Sequence, residues 1–188
     1  MLKKLFIILT LFLFSFSTNI KSKERSIMIM KLKTGEVKIE LFDEIAPNHV
    51  KRIKALADAG KYDGVAFHRV IDGFMAQTGD VKYGNTKLDF NAQMVGTGGS
   101  EFPDLKAEFN NIPHQRGVLS MARSQSPDSA NSQFFICFDS HPHLDRNYTA
   151  FGRVVCGMEF VDKIKKGAPG SGVVENPDII ISLRSAKK

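Results

Sequence analysis

Residues 67–80, Phe67-His68-Arg69-Val70-Ile71-Asp72-Gly73-Phe74-Met75-Ala76-Gln77-Thr78-Gly79-Asp80, hold one guanidinium among large apolar side chains within a single strand–turn–strand unit. Burying an arginine is costly unless its donors find partners, so this segment belongs to a fold that gives the cation a use. On an alternating strand Phe67 and Arg69 project to one face. Asp72-Gly73 supplies the turn, Phe74 and Met75 straddle it, and Gln77 follows Met75 on the same side. The segment predicts an apolar floor with one charged donor fork and one amide.

The rest of the chain reads as more short strands. Residues 26–32 and 36–41 alternate polar and apolar side chains around Thr34-Gly35, the pattern of an antiparallel hairpin. Pro47 then opens a helix on which Val50, Ile53, Leu56 and Ala57 recur at helical spacing, and Gly60 ends it. Strands are predicted over 65–70 and 74–78, then over 117–121, 133–138, 150–155 and 178–184, with a second short helix over 158–166. Residues 82–101 dissolve into glycine, asparagine and threonine, a long irregular segment of the kind that is functional or mobile in compact domains. Its Gly96-Thr97-Gly98-Gly99 lets backbone approach a bound chain, although it lacks the strand-before, helix-after setting of a phosphate loop. The fold class expected is mainly β: a closed, antiparallel, eight-stranded barrel capped by two α-helices.

The first residues differ from this pattern. Lys3 and Lys4 precede an apolar run from Leu5 to Phe14, followed by the small and polar Ser15-Phe16-Ser17-Thr18-Asn19, which is the layout of a secretory signal. The run falls short of the roughly 20 apolar residues that span a membrane. Residues 1–22 are therefore read as a cleaved signal with a short linker and residues 23–188 as the domain, exported to the periplasm or medium, without stable membrane insertion after processing. Net charge is +6. Without Lys3 and Lys4 it falls to +4, and the remaining basic residues are scattered without interleaved aromatics, which argues against a nucleic-acid partner. Cys137 and Cys156 lie in apolar strand-like runs and read as buried free thiols, their spacing alone leaving a disulfide open.

Familiar catalytic constellations do not occur. There is no Gly-x-Ser-x-Gly, no His-Glu-x-x-His and no Cys-x-x-Cys. His141-Pro142-His143 lacks further ligands at metal spacing and reads as a turn, so no metal or cofactor is expected. His68 points away from Arg69 by strand alternation and reads as a satisfied barrel residue. Arg69 has different company: Phe74, Met75, Phe135 and Leu144 offer an apolar pocket, while Gln77 and Gln133 offer amides. A peptide containing proline needs that combination.

The 67–80 block resembles, almost letter for letter, the signature of cyclophilin peptidyl-prolyl isomerases. A second block, Leu119-Ser120-Met121-Ala122 followed by Asn131-Ser132-Gln133-Phe134-Phe135-Ile136, matches the other half of that signature in the same order. The resemblance covers roughly residues 27–183. It implies a catalytic role for Arg69 with Phe74 and Gln77, and peptide contacts by Met75, Gly96, Ala122, Arg123, Gln133, Phe135, His143, Leu144 and Tyr148. Its implied partners are proline-containing polypeptides, met by a monomer that assists folding of exported proteins. Three positions depart from common family usage: His143 stands where many members have Trp, Tyr148 where many have His, and Arg123-Ser124 where animal members have Asn-Ala. The alternative is a non-catalytic chaperone that keeps the proline pocket without turnover; Arg69 separates the two, because a pure binder has no need of a cation there.

Overall fold

The computed structural model describes residues 25–88 and 90–187; the expected signal over 1–22 lies outside them. The opening hairpin forms as β1 (Ile27–Leu32) and β2 (Gly35–Leu41), followed by α1 (Pro47–Asp58). Next come β3 (Arg69–Ile71), β4 (Met75–Thr78), β5 (Val118–Met121) and β6 (Phe134–Cys137). A 3₁₀ turn at Pro142–Leu144 leads to β7 (Ala150–Cys156), α2 (Met158–Val161) and β8 (Ser182–Ser185). No helix among the described residues is long and apolar enough to cross a membrane.

All eight strands pair antiparallel in the order β3-β4-β6-β5-β7-β2-β1-β8. Period-two alternation turns Met28, Met30, Val37, Ile39, Val70, Ala76, Leu119, Met121, Phe134 and Ile136 into one buried core. α1 lays Val50, Ile53, Leu56 and Ala57 onto it and touches β7 and β8.

The sheet is an open half-barrel, which corrects the expected closed one. Its edge strands, β3 and β8, do not pair with each other. Residues 172–181 run through the gap instead and form isolated bridges, Val173 with Arg69 at the start of β3 and Ile179 with Ala66 before it. Single hydrogen bonds flank them: Val70 N donates to Gly172 O at 2.7 Å, Phe67 N to Asp178 O at 2.8 Å, and Ile181 N to Lys31 O at 2.8 Å. A continuous ladder fails here because Pro177 has no N–H to give and Gly172 sits at φ +74°, so the segment turns away between contacts. The same irregularity starts β3 at Arg69 rather than at 65 and shortens the expected last strand to β8.

Two smaller expectations also shift. The second helix keeps only four residues, because Ile164 N donates three residues back to Val161 O and tightens the chain. Both cysteines are free, but only Cys137 is buried; Cys156 lies exposed at the outer end of β7, opposite Lys38 and beyond β5's reach.

Candidate active site

On β3, β4, β6 and β5 the side chains that do not enter the core form a second surface. Register sets Arg69 opposite Gln77, Gln77 opposite Phe135, and Phe135 opposite Ser120, giving one row across four strands. A parallel row runs from Ile71 through Met75 to Cys137. Met75, Phe135, Cys137 and Leu144 are buried together, with Ile71, Phe74, Ala122 and Tyr148 packed around them. The Cys137 thiol is pushed up to about 12 by burial, so it is inert floor.

Arg69 stands at the edge of this hollow. Its Nε donates to Ser171 O at 3.1 Å and its Nη1 approaches Gln77 Oε1 at 3.5 Å. The guanidinium is half-buried rather than enclosed: an edge strand has one ladder neighbour, which leaves its other flank open. Phe67 does not share its face. It belongs to the main core, because residues 67 and 68 precede the regular strand and alternation is broken there.

From Arg69 a line of amides leads away. Gln77 Nε2 donates to Gln133 Oε1 at 3.1 Å, and Gln133 Nε2 donates to Gly96 O at 3.0 Å and Gly98 O at 2.7 Å. Asp80, fully buried, accepts from Gly96 N at 2.7 Å and Gly98 N at 2.9 Å, and also from Lys82 N and Tyr83 N. That carboxylate fixes the irregular 82–101 segment against the site. A cavity of about 670 Å³ lies there, lined by Gln77, Gly96, Ala122, Arg123 and Gln133. A larger one, about 920 Å³, is lined by Arg25, Glu40, Arg116 and Arg153 and by none of the expected site residues. Two of its arginines are held by carboxylates, Arg153 by Glu40 at 2.6 Å and Arg116 by Asp162, outside the lining, at 2.6 Å.

The far wall is aromatic. Tyr148 meets Phe135 edge-on at 5.8 Å, and the Arg123 guanidinium lies 4.5 Å over the Tyr148 ring while donating to Asn147 O, Ser124 O and Gln125 O. Pro142 starts the 3₁₀ turn that buries Leu144 and leaves His143 exposed, 5.8 Å from Phe74. Of the expected residues Phe74, Met75, Ala122, Phe135, Leu144 and Tyr148 pack in the hollow, Gln77, Gly96, Arg123 and Gln133 join Ala122 around the adjoining cavity, Arg69 reaches Gln77 from the edge strand, and His143 lies beside Phe74.

His68 departs from expectation. It is buried, but neither ring nitrogen has a hydrogen-bond partner among the described residues. Burial pushes it below the usual histidine range, with Asp80 opposing. Sequence reasoning missed His114, His141 and the anchoring role of Asp80. His141 Nε2 lies 3.0 Å from Phe74 O and its ring 4.8 Å from Phe74. His114 lies 2.9 Å from Asp145 and 2.9 Å from Ser120. His114 and His141 carry no local pattern, since their side-chain partners are 6 to 67 residues away in sequence, while Asp80 reaches from Lys82, two residues on, to Gly98, eighteen on.

An arginine and an amide beside an apolar hollow are the combination that a proline-containing peptide requires. The family model for cyclophilin type peptidyl-prolyl cis-trans isomerase/CLD matches residues 27–185, and the chain belongs to that family. It is 60% identical over 155 residues to a probable peptidyl-prolyl cis-trans isomerase of Brucella suis, covering 82% of this chain and 79% of that one. A peptidyl-prolyl cis-trans isomerase of Helicobacter pylori is 40% identical over 154 residues, covering 80% and 87%. A cyclophilin type isomerase of Cryptosporidium parvum, crystallised in the presence of the dipeptide Ala-Pro, superposes with a TM-score of 0.73 at 28% identity, covering 86% of this chain and 99% of that one. The chain is a peptidyl-prolyl cis-trans isomerase.

Proposed function

We propose that this enzyme turns X-Pro bonds of exported polypeptides through Arg69, with Gln77 and Phe74 beside it. The barrier, about 18–20 kcal/mol, comes from amide resonance, and no covalent bond to the protein is needed to cross it. As the amide twists, its prolyl nitrogen becomes pyramidal and exposes a lone pair. A guanidinium aimed at that atom binds the twisted form better than either planar one, which is what lowers the barrier. The observation that carries this reading is the fixing of Arg69 by Ser171 O and Gln77 at the rim of the hollow. Met75, Phe135 and Leu144, with Phe74, take the proline ring. Gln77 and the backbone near Arg123 orient the preceding residue, and Ala122, Gln133, Gly96 and Tyr148 line its approach, with His143 at the lip.

The test is exchange spectroscopy by NMR on one X-Pro peptide at catalytic enzyme concentration. Acceleration that falls by about 10- to 150-fold in Arg69→Ala is the expected result; peptide binding without acceleration in the unaltered protein would establish the non-catalytic chaperone instead. Lys3 and Lys4 before a short apolar run support export with removal of residues 1–22, leaving a monomeric domain over 23–188 in the periplasm or medium. Intact mass and sedimentation of protein taken from a native envelope fraction check both points, and a full chain beginning at Met1 in the cytosol would refute the export.

A further inference from the structure

Ser120, His114 and Asp145 form a hydrogen-bonded line behind the hollow that the reaction above does not use. Asp145 Oδ1 accepts from the backbone N–H of His114 at 2.7 Å and lies 2.9 Å from its Nδ1; His114 Nε2 lies 2.9 Å from Ser120 Oγ. Contact with His114 N–H groups holds Asp145 below the usual carboxylate range, so it is ionised and can only accept. Nδ1 therefore carries the proton, Nε2 of the neutral ring is an acceptor, and the Ser120 O–H donates to it. Burial pushes His114 below the usual histidine range against the pull of Asp145, which keeps the neutral ring dominant. The order is that of a nucleophile, base and acid, but Ser120 is 0% exposed, so no substrate reaches its oxygen.

The line instead fastens the two walls of the hollow. Ser120 is the register partner of Phe135, and the His114 ring stacks on Phe135 at 6.4 Å. Asp145 directly follows Leu144, and its N–H closes the 3₁₀ turn onto Pro142 O at 3.1 Å. The backbone of His141 donates to His114 O at 2.8 Å. One ring is thus tied to the strand pair that carries Phe135 and to the turn that carries Leu144.

We propose that His114 is a positioning residue of this isomerase, holding Phe135 and Leu144 at the separation a proline ring requires through Ser120 and Asp145. This rests on reading the hollow as the proline site. Loosened walls hold the ring less well in planar and twisted forms alike, so the signature is a raised KM with kcat retained, the reverse of that for Arg69.

KM and kcat for one X-Pro peptide would be measured for the unaltered enzyme, His114→Phe, His114→Asn and Asp145→Ala, with circular dichroism melts showing each folded at the assay temperature. His114→Phe keeps a ring on Phe135 but loses both hydrogen bonds, and about a tenfold higher KM with kcat within about twofold is expected. Asp145→Ala should match it, and His114→Asn, whose amide still donates to Asp145, should recover most of the loss. A folded His114→Phe enzyme with unaltered KM, or with kcat reduced and KM unchanged, overturns the proposal. Should that variant not fold, Ser120→Ala replaces it: about a threefold rise in KM supports the proposal and no rise overturns it. Absence of isomerisation by the unaltered protein would strike the functional reading alone, because calorimetric peptide dissociation constants across the same variants still report the walls.

Discussion

Arg69→Lys separates charge from geometry at the rim of the hollow. Two of the three guanidinium nitrogens of Arg69 are committed, Nε to Ser171 O and Nη1 toward Gln77, and Nη2 has no hydrogen bond among the described residues. That leaves Nη2, with its two N–H groups, to meet the prolyl nitrogen. A hydrogen bond to a charged group contributes about 1.5–3 kcal/mol, and 1.36 kcal/mol is a factor of ten in rate, so Arg69→Ala should lower kcat by about 10- to 150-fold. Peptide affinity should change little, because the lone pair exists only in the twisted form. Lysine keeps the charge but gathers its three donors on one compact, strongly hydrated nitrogen and lacks the planar fork. It cannot hold Ser171 O and Gln77 while also meeting the substrate, so it should recover only part of the rate. Exchange rates and dissociation constants for one X-Pro peptide across the three proteins decide the matter. Full recovery by lysine would show that charge alone suffices, and undiminished turnover by Arg69→Ala would refute the mechanism.

Gly172 sits at φ +74°, and an added Cβ would lie 2.5 Å from Ile71 Cγ1 and 3.2 Å from Arg69 Cγ. Gly172→Ala should therefore cost about 1–3 kcal/mol in urea denaturation and reduce kcat by displacing the arginine stem; unaltered values of both would refute this. His143 offers less area than the Trp common in the family and no indole N–H, so cyclosporin should bind weakly. His143→Trp should tighten that binding with little change in turnover, as a titration would show; tight binding by the unaltered protein refutes the reasoning. Burial holds His49, His68 and His114 below the usual histidine range. A folded pKa depressed below the unfolded value of about 6.5 makes a stability contribution that is present above pH 6.5 and lost as pH falls toward the folded value. Each group should then remove up to about 1.4 kcal/mol per pH unit below pH 6.5. Chemical denaturation at pH 8, 7, 6 and 5 tests this, and a flat profile from 7 to 5 would show that the buried histidines carry no such linkage.

Local pattern made the strand and helix content legible. Alternation in residues 26–41, the spacing of Val50, Ile53 and Leu56 after Pro47, and the two signature blocks all rest on contacts within a few residues or on residue identity, so they appear in the chain itself. The alternation of Met75 with Ala76 and of Phe134 with Phe135 even separates core from hollow correctly. Alternation failed at Phe67, because residues 67 and 68 lie between the isolated bridge at Ala66 and the start of β3 at Arg69.

Patterning along the chain was enough for a β-rich domain of one family, for α1 and for six residues of the hollow, Phe74, Met75, Ala122, Phe135, Leu144 and Tyr148, because period-two alternation and residue identity are properties of neighbours along the chain. Long-range packing sets the rest: the sheet stays open between β3 and β8, Arg69 is half-buried, His68 is buried without a ring hydrogen bond among the described residues, and His114 joins Ser120 to Asp145. Each of those depends on which distant segment arrives, such as 172–181 beside β3 or Asp145 beside His114, 31 residues away. Packing sets such arrivals, and no local period encodes them.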